Sequence, residues 1–311
     1  MSKKSNRNGR AFEAIVFYDL VNQLRKSNIN FSITERGLEY HKQDLVFFNE
    51  LSEGDSKDIK LRDDYISNIN ILTEWLFKKF SFDKSDFITL DKLPDGAGKD
   101  GDITDIRIII TKNKVSENIN LSLKNNSNAL KHSRIAGIPQ WLGISEDSSE
   151  CKEYLLNYNK IWKDVMLKIE NYNLTATNKV TIYNQLEYIS KNFKVNEIYN
   201  KYYNLIEEFF NNFCSTAERT NQLFRYLIGT IKFYKVINKP KKFIISDYIN
   251  IKSPTKVTFS RNVNNYLLLT FDNGWKISIR LHNGDKRLSP SLKVDAQLDS
   301  TFKVPEIELK K

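Results

Sequence analysis

Two long segments of the chain place hydrophobic residues every three to four positions, which is the spacing of an amphipathic helix. The first covers residues 9–26, approximately, and its apolar positions are Phe12, Ile15, Val16, Leu20, Val21 and Leu24. The second covers residues 63–80, and its predicted inner face holds Ile66, Ile69, Leu72, Trp75 and Leu76. Each helix is therefore expected to bury one face in a core.

The pattern changes to β-type after the loop "DKLPDGAGKDGD", whose Pro, Gly and Asp residues indicate an irregular connection. Two runs rich in β-branched and aliphatic residues follow, "IRIII" and "INLSL", separated by the polar segment "TKNKVSEN". They predict an antiparallel hairpin. Such a hairpin places the carboxylates of the preceding loop near the far end of the second run.

The rest of the chain separates into a helical and a β-rich part. Residues 151–234 have helical spacing with many aromatic residues, and "NKPKK" breaks this pattern. The following segments alternate, and the turn at Asp272, Asn273 and Gly274 is a strong hairpin signal. We predict a mixed α/β (α+β) fold, organised as residues 1–150, 151–236 and 237–311, with one compact domain as the alternative.

Composition narrows the class of protein. The 311 residues are 40% hydrophobic, and the net charge of +10 favours an anionic partner such as nucleic acid. An AT-rich gene would also enrich lysine, so the charge alone leaves both explanations open. Cys151 and Cys214 lack metal-ligand spacing, and no apolar run approaches the roughly 20 residues that span a bilayer. A cytoplasmic protein without membrane contact is expected.

The predicted hairpin carries a possible catalytic group. Asp102 and Asp105 precede its first run, and Ser122 and Lys124, two positions apart, share one face of its second run. Carboxylates are the usual protein ligands of Mg²⁺, and a nearby ammonium group stabilises charge at a phosphate. From spacing alone, a solvated loop acid and a surface lysine explain the same residues.

Three longer stretches carry a family resemblance. They are "NGRAFE" at residues 8–13, "GDITDI" with "LSLKNNSNALKHSR", and "DNGWKISIRLHNGDKRLSPSLKVDAQL" near the C-terminus. Together they resemble type II restriction endonucleases of the HaeIII type, within the PD-(D/E)xK nucleases. The resemblance implies a mixed central sheet flanked by helices, with a nuclease core in residues 1–150 and a DNA-recognition region in residues 237–311. It also implies Mg²⁺-dependent hydrolysis of double-stranded DNA at a short palindrome, GGCC.

The resemblance assigns roles to individual residues. Asp105 would be the metal-binding acid, with Asp102 as a rival, and Lys124 would position the attacking water. The carbonyl group of Leu123 would face the metal. Ser122 stands where the motif has its second acid, and the motif proline is absent. Glu13 on the first helix is the candidate replacement, unless it is an ordinary exposed glutamate, in which case Asp102 and Asp105 must act together.

Polar residues near these motifs are candidates for DNA contact. Those after the motif lysine are expected to contact phosphates: Asn125, Asn126, Asn128, Lys131, His132 and Arg134. The C-terminal set is Arg280, His282, Asn283, Lys286, Arg287 and Lys293. In this set Arg280 and Arg287 suit the guanine edge, whereas Lys286 and Lys293 suit phosphates. A basic surface strand is the alternative reading of the C-terminal set.

Two other functions fit the same residues. Ser122 and the missing proline would also suit a sequence-specific DNA-binding protein without catalysis. A less specific nuclease of repair or transposition is the other alternative. A palindromic target indicates a homodimer, although a monomer that cuts the two strands in turn would also serve.

Overall fold

The computed structural model describes residues 3–94, 102–126, 131–171, 198–282 and 292–311. The chain divides into two compact units. Unit 1 comprises Met1–Asn128, Ile231–Ile251 and Val304–Lys311. Unit 2 comprises Ala129–Thr230 and Lys252–Lys303. These units alternate along the chain, whereas the three regions predicted from the sequence are contiguous.

Helices and strands are numbered in chain order among the described residues. The helices are α1 (Lys3–Lys26), α2 (Glu35–Ser52), α3 (Ser56–Phe80), α4 (Ile138–Trp141), α5 (Ser149–Asn171), α6 (Asn200–Phe213) and α7 (Ala217–Ile228). The strands are β1 (Asn30–Ile33), β2 (Phe87–Lys92), β3 (Ile106–Lys112), β4 (Val115–Asn125), β5 (Lys131–Arg134), β6 (Tyr234–Lys239), β7 (Lys242–Asp247), β8 (Val257–Arg261), β9 (Leu267–Phe271), β10 (Lys276–His282), β11 (Lys293–Leu298) and β12 (Glu306–Lys310).

Unit 1 is built on a seven-stranded sheet with the order β1-β2-β3-β4-β6-β7-β12. The β1–β2 and β4–β6 pairs are parallel and the other neighbours are antiparallel. Helices α1 and α3 pack their apolar residues against this sheet in one hydrophobic core. The predicted fold class, a mixed sheet flanked by helices, is confirmed.

The first predicted helix buries the residues that its periodicity selected. All six apolar positions of α1 named above are buried. The helix begins at Lys3, six residues before the predicted start, because its polar first turns carry no apolar spacing to reveal them.

The second predicted helix differs at one position of its inner face. Ile69, Leu72 and Leu76 are buried as predicted, but Ile66 is 53% exposed. Tyr65 takes the inner place, with its ring in the core and its hydroxyl donating a hydrogen bond to the carbonyl oxygen of Asn8 at 3.1 Å. Burying an aromatic ring with its hydroxyl satisfied is favourable, so Tyr65 replaces Ile66 on the inner face of the helix.

The predicted hairpin is confirmed as the antiparallel pair β3–β4. Its turn is shorter than the predicted polar segment, because Lys112 pairs with Val115 and only Asn113 and Lys114 lie between them. Both have positive φ, at 48° and 66°, the combination of a type I′ turn that matches the twist of the two strands.

Unit 2 combines helices α4 to α7 with a five-stranded antiparallel sheet in the order β5-β11-β10-β9-β8. The predicted hairpin at Asp272, Asn273 and Gly274 joins β9 to β10, and Gly274 has the positive φ of 89° that this turn requires. The predicted helical segment extended to residue 234. Helix α7 ends instead at Ile228, and Tyr234 already belongs to strand β6 of unit 1.

Across the described parts of the chain, no helix has the length and apolar character needed to cross a bilayer.

Candidate active site

The β3–β4 hairpin brings Asp105 and Lys124 together. Asp105 immediately precedes β3, and Lys124 lies near the end of β4. The Nζ atom of Lys124 is 3.3 Å from Oδ2 of Asp105. The same oxygen accepts a hydrogen bond from the backbone N–H of Leu123 at 2.5 Å. The acid and the lysine that the sequence singled out therefore form one group at the end of the hairpin.

The backbone around Asp105 is held on both sides. Its N–H donates to the carbonyl oxygen of Leu121 at 2.8 Å, and its carbonyl oxygen accepts from the N–H of Leu93 at 3.0 Å. These bonds continue the sheet ladder one residue beyond β3. The carboxylate of Asp105 is thus positioned by regular sheet geometry, and its side chain stays partly accessible, at 18%.

Asp102 has different partners. Its Oδ1 atom accepts from the N–H of Thr104 at 3.0 Å, and its Oδ2 atom lies 2.5 Å from Nη2 of Arg107. The carboxylate therefore stabilises the turn that leads into β3. These two contacts engage both of its oxygens.

Ser122 is buried, at 1% exposure. Its strand neighbours Leu121 and Leu123 belong to the hydrophobic core, so strand alternation puts Ser122 and Lys124 on the opposite face of the sheet. On that face Ser122 lies in register with Lys235 of the parallel strand β6.

Glu13 turns into the interior of unit 1. It lies on the buried face of α1 and is 7% exposed, so the reading as an ordinary exposed glutamate is wrong. Its Oε2 atom is 2.6 Å from Nζ of Lys92 at the end of β2. The pKa of Glu13 is raised to about 7, first by burial and then by the negative charge of Asp105, while Lys92 and Lys124 lower it. Glu13 therefore lies within electrostatic reach of both Asp105 and Lys124.

Lys92 is a central residue of this region that the sequence did not single out. Its ammonium group also lies 3.2 Å from Oδ2 of Asp44 and 3.2 Å from the carbonyl oxygen of Leu93. Burial alone would lower the pKa of Lys92, but the charges of Glu13, Asp44 and Asp105 outweigh it and hold that pKa above its usual value.

Asp44 is completely buried and also pairs with Arg10 of α1. Glu13, Asp44, Lys92 and Arg10 form a charge-balanced cluster beside Asp105. The sequence pattern predicts a loop at Lys92, because hydrophobic periodicity does not indicate a lysine that is buried through ion pairs. The one available signal is its place at the end of the apolar run "FITL".

Lys235 is a second buried lysine that the sequence reading missed. It is 3% exposed, and burial lowers its pKa to about 7, with the nearby charge of Lys124 contributing in the same direction. Its position in register with Ser122 results from the parallel pairing of β4 and β6, which joins segments more than 100 residues apart.

Among the described residues, no group of three or more His, Cys, Asp or Glu side chains is arranged to hold a metal ion. Asp105 contacts Lys124 directly, and the carboxylate of Glu13 interacts with Lys124 electrostatically.

Asn125 and Asn126 bind the neighbouring strand β6. The Oδ1 atom of Asn125 accepts from Nδ2 of Asn238 at 2.9 Å, and Oδ1 of Asn126 accepts from Nζ of Lys239 at 3.2 Å. Their amide nitrogens remain possible donors. Asn128 lies outside the described residues.

The sheet of unit 2 brings other predicted DNA-binding residues together. Arg134, Lys293 and His282 are register neighbours across β5, β11 and β10. Arg280, two residues before His282, lies on the same face by strand alternation. Lys131 and His132 lie in β5, of which the structure describes only the backbone at these two positions. Asn283, Lys286 and Arg287 lie outside the described residues.

Comparison with known proteins identifies the family of this chain. The family model of the HaeIII restriction endonuclease matches residues 9–252 and 242–301. The chain is also 28% identical to the type II restriction enzyme HaeIII of Haemophilus aegyptius over 331 aligned positions, covering 96% of this chain and 95% of that protein. No solved structure gave a significant match. The chain therefore belongs to the HaeIII restriction endonuclease family, which confirms the predicted enzyme class, a type II restriction endonuclease.

Proposed function

We propose that this enzyme hydrolyses double-stranded DNA at the palindrome GGCC in a reaction that requires Mg²⁺. The observation that carries the proposal is the 3.3 Å contact between Lys124 and Asp105, next to the buried carboxylate of Glu13. The chain belongs to the HaeIII restriction endonuclease family, and GGCC is the target that the sequence resemblance implies.

The donor groups fit a hard divalent cation. Mg²⁺ in nucleotide-processing sites is held by one or two carboxylates together with water and substrate phosphate. Asp105 and Glu13 supply two carboxylates whose mutual repulsion contributes to the raised pKa of Glu13. A bound cation would offset this repulsion, so the residues present fit the ion.

Asp105 and Glu13 are the proposed ligands, and the carbonyl group of Leu123 is the third. Asp102 is the weaker candidate because Arg107 and the backbone of Thr104 already engage its carboxylate. Ser122 carries no charge to replace the motif acid, and in this proposal Glu13 supplies that charge from α1.

The protein groups have distinct tasks in the hydrolysis. The ammonium group of Lys124, held by Asp105, orients the attacking water and places a positive charge beside the scissile phosphate. When bound, the cation held by Asp105 and Glu13 would supply Lewis-acid stabilisation of the charge that develops on the phosphate and the leaving oxygen. In-line attack by water leaves a 5′-phosphate and a 3′-hydroxyl group.

Target recognition is assigned to the polar residues of both units. Asn125, Asn126, Lys131, His132, Arg134 and Lys293 are proposed phosphate contacts, and Arg280 and His282 are proposed to face the bases. The sequence predictions for Asn128, Asn283, Lys286 and Arg287 are kept within this proposal. A two-fold symmetric target suits a homodimer with two such sites, and a monomer cutting each strand in turn is the alternative that sedimentation of the DNA complex distinguishes.

The substitution Lys124→Ala tests the catalytic assignment. It is expected to lower the cleavage rate about 100-fold or more, while the affinity for the target duplex in a gel shift without Mg²⁺ stays close to that of the wild type. Lys112→Ala is the matched control, because Lys112 lies at the other end of the same hairpin and pairs with Asp86.

Sequencing the ends of the digestion products tests the target and the metal dependence. Discrete fragments ending within GGCC, formed with Mg²⁺ and not with EDTA, are expected. A shifted duplex without cutting would indicate a binding protein without catalysis, and cutting without discrete fragments would indicate a less specific nuclease. Cleavage by Lys124→Ala at the rate of the wild type would contradict the assigned role of Lys124.

A further inference from the structure

The basic face of the unit 2 sheet contains a buried acid, Asp295. Asp295 lies on β11 directly opposite Arg280 of β10 and is 3% exposed. Its Oδ2 atom is 2.7 Å from Nη2 of Arg280 and 2.9 Å from Nε2 of His282. One carboxylate oxygen therefore joins two of the residues that the sequence predicted to contact DNA.

The side chains on either side of this acid are more accessible than the acid. The side chain of Arg280 is 42% exposed and that of His282 is 30% exposed, against 5% for Asp295. The carboxylate thus contacts Arg280 and His282 on their buried side, and the outer parts of these two side chains remain accessible to a ligand.

We propose that Asp295 is a positioning residue for base recognition, which fixes the side chains of Arg280 and His282 in the orientation that reads the target. The proposal rests on the DNA recognition assigned to this face in the proposed function. Arg280 has five N–H donors in a rigid plane, and the contact with Asp295 uses Nη2. Tyr266 also hydrogen-bonds the Arg280 side chain, and Nε is buried. The terminal N–H groups that remain are then presented in a fixed direction, as the two acceptors O6 and N7 of guanine require.

The charge of Asp295 favours this role over phosphate binding. An unpaired carboxylate on a face that approaches DNA would repel the phosphate backbone. The neighbouring cations neutralise Asp295, and the electrostatic attraction of the face is reduced by one charge. A gain in directional recognition compensates for that loss, because a fixed guanidinium loses less rotamer freedom on binding.

The test compares Asp295→Asn with the matched control Asp299→Asn. Asp299 is also buried in unit 2, but its carboxylate binds the backbone and hydroxyl of Thr301, at 3.0 and 2.8 Å. The measurement is the ratio of cleavage efficiencies on a GGCC duplex and on duplexes with one base pair exchanged. Asp295→Asn is expected to lower this ratio about tenfold at one base-pair position, and Asp299→Asn is expected to leave it unchanged.

A double-mutant cycle asks whether Asp295 acts through Arg280. In the Arg280→Lys background, the additional change Asp295→Asn is expected to cause a smaller loss of discrimination than in the wild type, because the guanidinium is already absent and only His282 remains to be positioned. Independent, multiplicative losses would overturn the proposal. If Asp295→Asn does not fold, the same ratio is measured in Arg280→Lys and His282→Gln, which change partly exposed residues. Undiminished discrimination in both variants would overturn the proposal.

The outcomes separate this inference from the proposed function. A wild-type enzyme that fails to cut at GGCC contradicts the proposed function. A wild-type enzyme that cuts there, together with a folded Asp295→Asn variant of unchanged discrimination, contradicts only the positioning role of Asp295.

Discussion

At the scale of single residues, the proposed active site depends on Lys92, a lysine that is almost completely buried. Lys92 contributes the central positive charge between Glu13 and Asp44. Two carboxylates buried without a cation would be strongly destabilising, since transferring an unpaired ion from water to the interior costs several kcal/mol. The cluster therefore allows Glu13 to approach Asp105 inside the protein.

We expect Lys92→Met to lower the free energy of unfolding by about 3–5 kcal/mol, because it keeps the apolar stem, removes the ion pair of Glu13 and leaves Asp44 with Arg10 alone. Denaturant unfolding in EDTA measures the change without any contribution from a bound metal. Lys242→Met is the control, since Lys242 pairs with Glu308 at a partly exposed site and such pairs contribute about 0–1 kcal/mol. Equal losses in the two variants would show that Lys92 has no special role.

At the scale of elements, the β3–β4 hairpin determines which residues meet. Its turn has only two residues and therefore determines the strand register, which pairs Lys112 with Val115 and Ile106 with Leu121. Asp105 then lies beside Leu123 and Lys124. A one-residue slip would transfer every side chain of β4 to the other face, and Lys124 would leave the site.

A substitution in this turn is expected to raise the free energy of unfolding. Lys114 has a φ of 66°, and the left-handed conformation costs a non-glycine residue roughly 1–2 kcal/mol. Lys114→Gly removes this strain. The greater conformational entropy of the unfolded chain offsets part of the gain, by about 0.4–1 kcal/mol. We therefore expect the free energy of unfolding to rise by about 0.5–1 kcal/mol.

Thermal and denaturant unfolding of Lys114→Gly provide the measurement. Ser116→Gly is the control on the same hairpin, since Ser116 lies within β4, where glycine is expected to cost roughly 0.5–1 kcal/mol. A loss of stability in Lys114→Gly would contradict the assigned turn type.

At the scale of the whole molecule, the net charge of +10 has a structural counterpart. Arg134 of β5 and Lys293 of β11 lie in register on adjacent strands of unit 2. Two cations in register are suited to neighbouring phosphates, whose neutralisation releases counterions and makes binding sensitive to salt.

We expect DNA affinity to fall steeply with salt, and Arg134→Ala and Lys293→Ala to reduce the slope of log affinity against log salt by about 1 each. Gel shifts or fluorescence anisotropy at several salt concentrations give this slope. Lys152→Ala on α5, whose side chain is 65% exposed, is the control and is expected to keep the slope of the wild type. Unchanged slopes in Arg134→Ala and Lys293→Ala would remove these residues from the DNA interface.

Local pattern predicted the parts of the site that local geometry creates. Alternation in two adjacent runs predicted the hairpin and thereby the meeting of Asp105 with Lys124. Helical periodicity predicted the buried face of α1, and Glu13 was considered as an inward-facing residue because of its neighbours Phe12 and Ile15. The pattern predicts no helix at α2. It also extends the helical segment beyond the end of α7, because aromatic residues occur in buried helices and strands alike.

The mixed α and β architecture and the acid–lysine pair can be predicted from the chain alone, because they depend on periodicity and short chain separations, and the restriction-endonuclease resemblance comes from the residues of three stretches. The support of Glu13 by Lys92 and Asp44, the place of Lys235 beside Ser122, and the contact of Asp295 with Arg280 become visible only in the folded protein. Each of these contacts joins separate strands or helices of the chain. A buried charge is tolerated only when another element supplies its partner, and no local pattern records which element that is.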